Sequence, residues 1–151
     1  MVGVFNESGS ANRTCTVPTN VALFFPLLNF EGDNACVDPP LTVEELQAIA
    51  KQNMDLTSEL HATLDGRSLT RDLFAFRAAS PVFSYTLPPD DNIAQLFGSD
   101  ISGIVDPVVA DGYYLMLSPL TPGQHTLNFG GTLGDPINFS LDITYNLTVG
   151  G

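Results

Sequence analysis

The sequence predicts a mainly β protein: an antiparallel β-sandwich, immunoglobulin-like or jelly-roll-like, with one amphipathic helix near residues 42–57. Three observations lead there. Runs in which apolar and polar residues alternate recur along the chain, clusters of Gly, Pro, Asn and Asp separate them, and only one stretch has convincing helical spacing. Seven or eight short strands with one helix suit two packed sheets. The length of 151 residues, with no internal repeat or linker, fits a single domain over residues 1–151, with 1–12 as a flexible N-terminal segment. With 44% apolar residues the chain can bury a core, and at this size roughly 70% of the unfolded surface can go inside.

Residues 21–28 are β-branched and aromatic, interrupted by Pro26, and read as a buried strand with an irregularity. Pro39-Pro40 ends that region. Thr42-Val43-Glu44-Glu45 then matches a capping box, in which the first and last side chains satisfy each other's backbone N–H groups. A helix follows, because Val43, Leu46, Ile49, Ala50 and Met54 recur at three- and four-residue steps. From Leu60 the period falls to two: Leu60, Ala62 and Leu64 alternate with His61 and Thr63, and Asp65-Gly66 is a hairpin turn. Residues 73–77 and 82–87 read as further strands. Pro88-Pro89-Asp90-Asp91-Asn92 is turn chemistry, and 93–107 reads as a long loop with a helical turn.

Residues 113–117 form an apolar strand, after which Pro122 and Gly123 suit the second and third positions of a type II turn. His125, Leu127 and Phe129 begin the return strand. Phe139, Leu141, Ile143, Tyr145, Leu147 and Val149 then alternate with Ser140, Asp142, Thr144, Asn146 and Thr148, giving one core face and one wet face.

The chain carries 17 acidic and 5 basic side chains, a formal charge of −12. All five cations lie by Arg77. Such a charge excludes nucleic acid as a partner, since phosphate backbones are held by clustered Lys and Arg. The run 21–28 is far short of the roughly 20 apolar residues that cross a bilayer, so no membrane insertion is expected. Dense acid also raises calcium binding, at Glu31-Gly32-Asp33-Asn34, at Asp90 and Asp91, or at Asp100; none has the spacing of a dedicated calcium loop. Apart from calcium no cofactor is expected. Cys15 and Cys36 flank the run 21–28, and a disulfide between them would tie its ends. Four N-x-[ST] sequons begin at Asn6, Asn12, Asn138 and Asn146. Residues 1–5 lack the basic and apolar regions of a signal peptide.

Catalytic motifs are missing: there is no nucleophile elbow, phosphate loop, C-x-x-C or H-E-x-x-H. His61 lies on the polar phase of its strand and reads as solvated. His125, just after Pro122-Gly123, reads as a structural ring bonded to a nearby carbonyl. A non-catalytic binding module or cell-surface domain is the better-supported reading, its ligand unspecified; for a sugar ligand, the stacking rings in a chain without Trp would be Tyr113, Tyr114, Tyr85 and Phe83. One of the adjacent Tyr113-Tyr114 pair must face the core and the other away, unless the strand is covered on both sides. Two alternatives stand beside non-catalytic binding. One is a structural subunit that self-associates through the long strand 138–149 if that strand lies outermost, internal pairing being the simpler expectation; the other is a polysaccharide hydrolase using paired carboxylates.

Asp111-Gly112-Tyr113-Tyr114, the run Ser118-Pro119-Leu120-Thr121-Pro122-Gly123-Gln124-His125-Thr126, Phe129-Gly130-Gly131 and Asp142-Ile143-Thr144-Tyr145-Asn146-Leu147-Thr148-Val149 form a recognisable set. With Cys15-Thr16-Val17-Pro18, Leu23-Phe24-Phe25-Pro26, Leu64-Asp65-Gly66, Arg77 and Ser80-Pro81-Val82-Phe83, this set resembles a family of secreted bacterial proteins of uncharacterised function. The resemblance spans roughly residues 13–149. It implies a β-sandwich and a secreted or cell-surface location, and carries no catalytic residue with it.

Overall fold

The structure, a computed structural model, describes residues 9–35, 37–96 and 98–150. It is mainly β, with 53% strand against 14% helix. In chain order the elements are β1 (Ser10–Val17), β2 (Leu23–Asp33), α1 (Val43–Asp55), β3 (Thr57–Leu64), β4 (Arg67–Ser68), a 3-10 turn (Phe74–Phe76), β5 (Arg77–Ala79), β6 (Phe83–Leu87), the single turn α2 (Ile93–Leu96), β7 (Gly103–Leu117), β8 (Gly123–Leu133) and β9 (Phe139–Val149). One sheet has the order β1-β9-β8-β3-β4. The other has β2-β7-β5, with β6 also paired to β7. The chain resolves into two compact units. The first takes in residues up to Asn29, Leu56–Ala78 and those from Gly112 onward; the second takes in Phe30–Asp55 and Ala79–Asp111.

In the first unit the inward residues of both sheets meet. Leu23, Phe25 and Leu27 of β2 and Tyr113 and Leu115 of β7 join Leu127 and Phe129 of β8 and Ile143, Tyr145, Leu147 and Val149 of β9 in one buried cluster. Phe129 is its centre. Its ring lies 4.7 Å from that of Phe25 and 6.2 Å from that of Tyr145, with the latter pair near-parallel at 8°. Close strand approach requires glycine at 112, where a Cβ would come within 2.5 Å of the Asn29 Cβ.

In the second unit α1 starts on its capping box. The Thr42 N–H donates to Glu45 Oε2 at 2.8 Å and the Glu45 N–H to Thr42 Oγ1 at 3.2 Å. The bond from Thr42 N–H and that from its hydroxyl hold the Glu45 carboxyl below its usual range. The helix packs Leu46 and Ala50 on Val109; burying one Leu contributes about 1.5–3 kcal/mol. The approach to the helix is fixed by Asn34, whose carboxamide accepts from the Leu41 N–H and donates to the Leu41 carbonyl, both at 2.9 Å. Leu87, Val105 and Val108 form a second cluster in this unit, with Tyr85, Ala94 and Ile101 against it.

Several expectations are corrected. The five-stranded sheet is not wholly antiparallel: β1 runs parallel to β9 from Ser10↔Asp142 to Val17↔Val149. No tight turn joins these two strands, so parallel pairing is open to them. Ser10, Ala11 and Asn12, expected within a flexible segment, belong to this ladder. The last strand is paired internally, as the simpler expectation had it, with β1 on one side of β9 and β8 on the other. Residues 73–77 form the 3-10 turn and the start of β5, since Leu73 turns into the core while Phe74 and Phe76 face outward. The expected bridge is not seen: Cys15 is a free thiol that donates to the Thr16 carbonyl at 3.5 Å, and Cys36 lies outside the described residues, as does Asn6.

Candidate functional site

The shortness of β4 shapes the site. It pairs only Thr63 and Leu64 of β3, so among the described residues the earlier part of β3 is a sheet edge. The chain after β4 folds along that edge. Its Leu69 N–H donates to the Ala62 carbonyl at 3.0 Å, and Leu73 is buried in the first unit's core. Short bonds stiffen the segment: Ser68 Oγ–H donates to the Thr70 carbonyl at 2.9 Å, Thr70 Oγ1 accepts the Asp72 N–H at 3.4 Å, and Asp72 Oδ1 accepts the Ala75 N–H at 3.2 Å.

Between this segment and β3 lies an open groove of about 390 Å³, lined by Leu60–Thr63 on one side and by Ser68, Thr70, Arg71, Asp72, Leu73 and Phe74 on the other. Its aromatic wall is Phe74, 46% exposed. Beneath it stands Tyr113, whose ring meets Phe74 edge-on at 5.5 Å and carries the Arg77 guanidinium 5.9 Å from its centroid. The groove thus combines one apolar ring face with hydroxyl, imidazole, carboxylate and guanidinium groups. Its size is at the lower end of small-ligand sites, which run from about 300 to 1,000 Å³.

At the groove's polar end His61 Nε2 lies 3.3 Å from Asp142 Oδ1. The two belong to β3 and β9, with β8 between them, and they meet because Gly130 is the residue level with both. A Cβ there would come 2.9 Å from His61 Cε1 and would also strike the Leu141 carbonyl oxygen. Asn128 fixes the Asp142 carboxylate by donating from Nδ2 to Oδ1 at 2.6 Å. His61 is solvated, as its place on the polar phase of the strand implies, with its side chain 41% exposed, and it is also oriented by Asp142.

The tyrosines expected to bind ligand are distributed differently. Tyr113 is 4% exposed and so supports the groove from below. Tyr114 faces the other way and stacks on Phe24 at 5.7 Å with 9° between planes; Phe24 is 52% exposed. Tyr85 belongs to the second unit, where its hydroxyl donates to Asp33 Oδ2 at 2.6 Å. Partial burial, then the charge of Asp33 and a hydrogen bond to it, push the Glu31 carboxyl up to about 7.

Asp90, Asp91 and Asp100 are exposed. Their loop is organised by the buried Asn92, which donates to the carbonyls of Pro88 at 2.7 Å and Ile101 at 2.8 Å and accepts the Gln95 N–H at 3.1 Å. Among the described residues no group of three or more His, Cys, Asp or Glu side chains could hold a metal ion. After Pro122 and Gly123, with Gly123 at φ 137, His125 clasps two loops. Its Nδ1–H donates to Asp65 Oδ2 at 2.8 Å and its Nε2–H to the Thr121 carbonyl at 2.9 Å. A carboxylate and a carbonyl accept, so this arrangement favours the protonated ring. The Asp65 bond, then that to Thr121, raises the His125 pKa, and the His125 bond lowers that of Asp65.

Ser68 and Arg71 escape sequence reading because their segment has no period, and Phe74 because residues 73–77 read as a strand where the chain forms a 3-10 turn. The signal that remains is compositional: three of the five cations, Arg67, Arg71 and Arg77, fall within eleven positions. Fold and groove together define a mainly β protein with an open groove of mixed polarity. Comparison with protein-family models, curated proteins and solved structures finds no match.

Proposed function

We propose that the protein is a secreted or cell-surface, non-catalytic carbohydrate-binding domain of β-sandwich type, from the bacterial family its sequence resembles. The observation that carries this reading is the groove beside β3. Phe74 offers a ring face to a pyranose, and Thr63, Thr70, Ser68 and His61 offer short-range hydrogen bonding to hydroxyls. The paired rings of Phe24 and Tyr114 supply a second aromatic surface of the kind such domains use. Immunoglobulin-like and jelly-roll-like sandwiches both accommodate the observed sheets.

The test is a titration of neutral and acidic mono- and oligosaccharides against the full chain by NMR and calorimetry, repeated with Phe74→Ala. Saturable binding that weakens several-fold in the variant, with no product released, is the expected result. The far-UV spectrum of Phe74→Ala should match the wild type. Failure of every sugar to bind would overturn the proposal, and hydrolysis of any would replace it with the enzyme reading.

A further inference from the structure

The cations of this chain are few and mostly engaged. Lys51 Nζ lies 2.6 Å from Asp55 Oδ2, Arg77 sits over the Tyr113 ring, and Arg67 acts on Asp65. Arg71 differs. Its guanidinium has no hydrogen-bond or ion-pair partner among the described residues, although acidic side chains outnumber basic ones 17 to 5, and it lines the groove. Guanidinium presents paired N–H donors in the geometry of a carboxylate, with no proton to lose near neutrality.

We propose that the groove selects a sugar bearing a carboxylate, with Arg71 as its anchor. A hexuronic acid fits each feature: a pyranose face for Phe74, ring hydroxyls for Thr63 and Thr70, and a C6 carboxylate for the two guanidinium N–H groups. Within the groove Asp72 is the one carboxylate, and its Oδ1 already accepts the Ala75 N–H. The His61 ring is engaged by Asp142. The overall charge of −12 repels polyanions, which restricts the ligand to one acidic residue or chain end rather than a polyuronate.

This rests on the carbohydrate reading, and the experiment separates the two. Glucuronate, its neutral methyl ester and glucose are titrated against the wild type and Arg71→Gln. Glucuronate should bind the wild type about tenfold or more tightly than the other two, the range of a charge-assisted bond. Arg71→Gln should abolish that margin. Arg71→Lys, with a point charge instead of a fork, should restore only part of it. Equal affinity for all three sugars refutes the Arg71 assignment and leaves carbohydrate binding intact. A glucuronate preference that survives Arg71→Gln also refutes it. Absence of binding by any sugar removes both.

Discussion

Removing the Phe129 ring tests which faces of the first unit are internal. Phe129 is fully buried, with Phe25 and Tyr145 rings at 4.7 and 6.2 Å. Core Phe→Ala substitutions cost roughly 3–5 kcal/mol, more where the walls cannot collapse. Both neighbouring rings are themselves held in the core, so Phe129→Ala belongs in the upper half, about 4–5 kcal/mol. In a chain of this length each kcal/mol lowers Tm by about 2–4 °C, giving an expected fall of about 8–20 °C. Urea unfolding followed by far-UV circular dichroism reads the free energy, with Phe24→Ala as the companion. Phe24 is 52% exposed, so its loss should cost less than about 1.5 kcal/mol. A Phe129→Ala cost under about 2 kcal/mol, or equal costs at positions 24 and 129, would refute the inward and outward assignments of β2 and β8.

Glu31 is pushed up to about 7 from 4.5, so its contribution to stability is complete below about 4.5 and is lost as pH rises through 7. Thermal melts from pH 4 to 8 should therefore show wild type losing stability relative to Glu31→Gln across that interval. The raised pKa of His125 contributes below 6.5 and is lost as pH climbs through its folded value; the lowered pKa of Asp65 contributes above 3.8 and is lost as pH falls through its own. His125→Gln should consequently be more harmful at pH 5.5 than at pH 9, and equal Tm differences at the two values would contradict the doubly protonated ring. Thr42→Ala removes the cap of α1 and should cost about 1 kcal/mol, with Thr42→Ser close to neutral, as read by chemical denaturation.

Elements with a single strong local signal were legible in the sequence. The capping box at Thr42 and Glu45 forms as its spacing requires, and α1 ends at Asp55, within two residues of the expected limit. Asp65 and Gly66 adopt φ 52 and 75, the positive pair that a two-residue hairpin needs. The alternation in β9 places Ile143, Tyr145, Leu147 and Val149 in the core. Elements defined by tertiary partners were not legible. The first half of β7 contains Asp106, Pro107 and Asp111, which erase the period of two, and β1 alternates Ala11, Arg13, Cys15 and Val17, too weakly apolar to register. For the site, the sequence singled out tyrosines but not their directions. It had no way to bring Asp65 to His125, sixty positions away, or Asp142 to His61, eighty-one away.

The parallel ladder of β1 with β9 joins Ser10 to Asp142 and Val17 to Val149, a separation of 132 positions at every rung. A ribosome delivers β1 long before β9, its partner among the described residues, exists. During that interval the backbone donors and acceptors of Ser10–Val17 bond to water or to whatever else is near. Closing so large a loop is entropically slow. The docking of β1 is therefore a late event in the folding of this chain, one that waits on synthesis of the final strand.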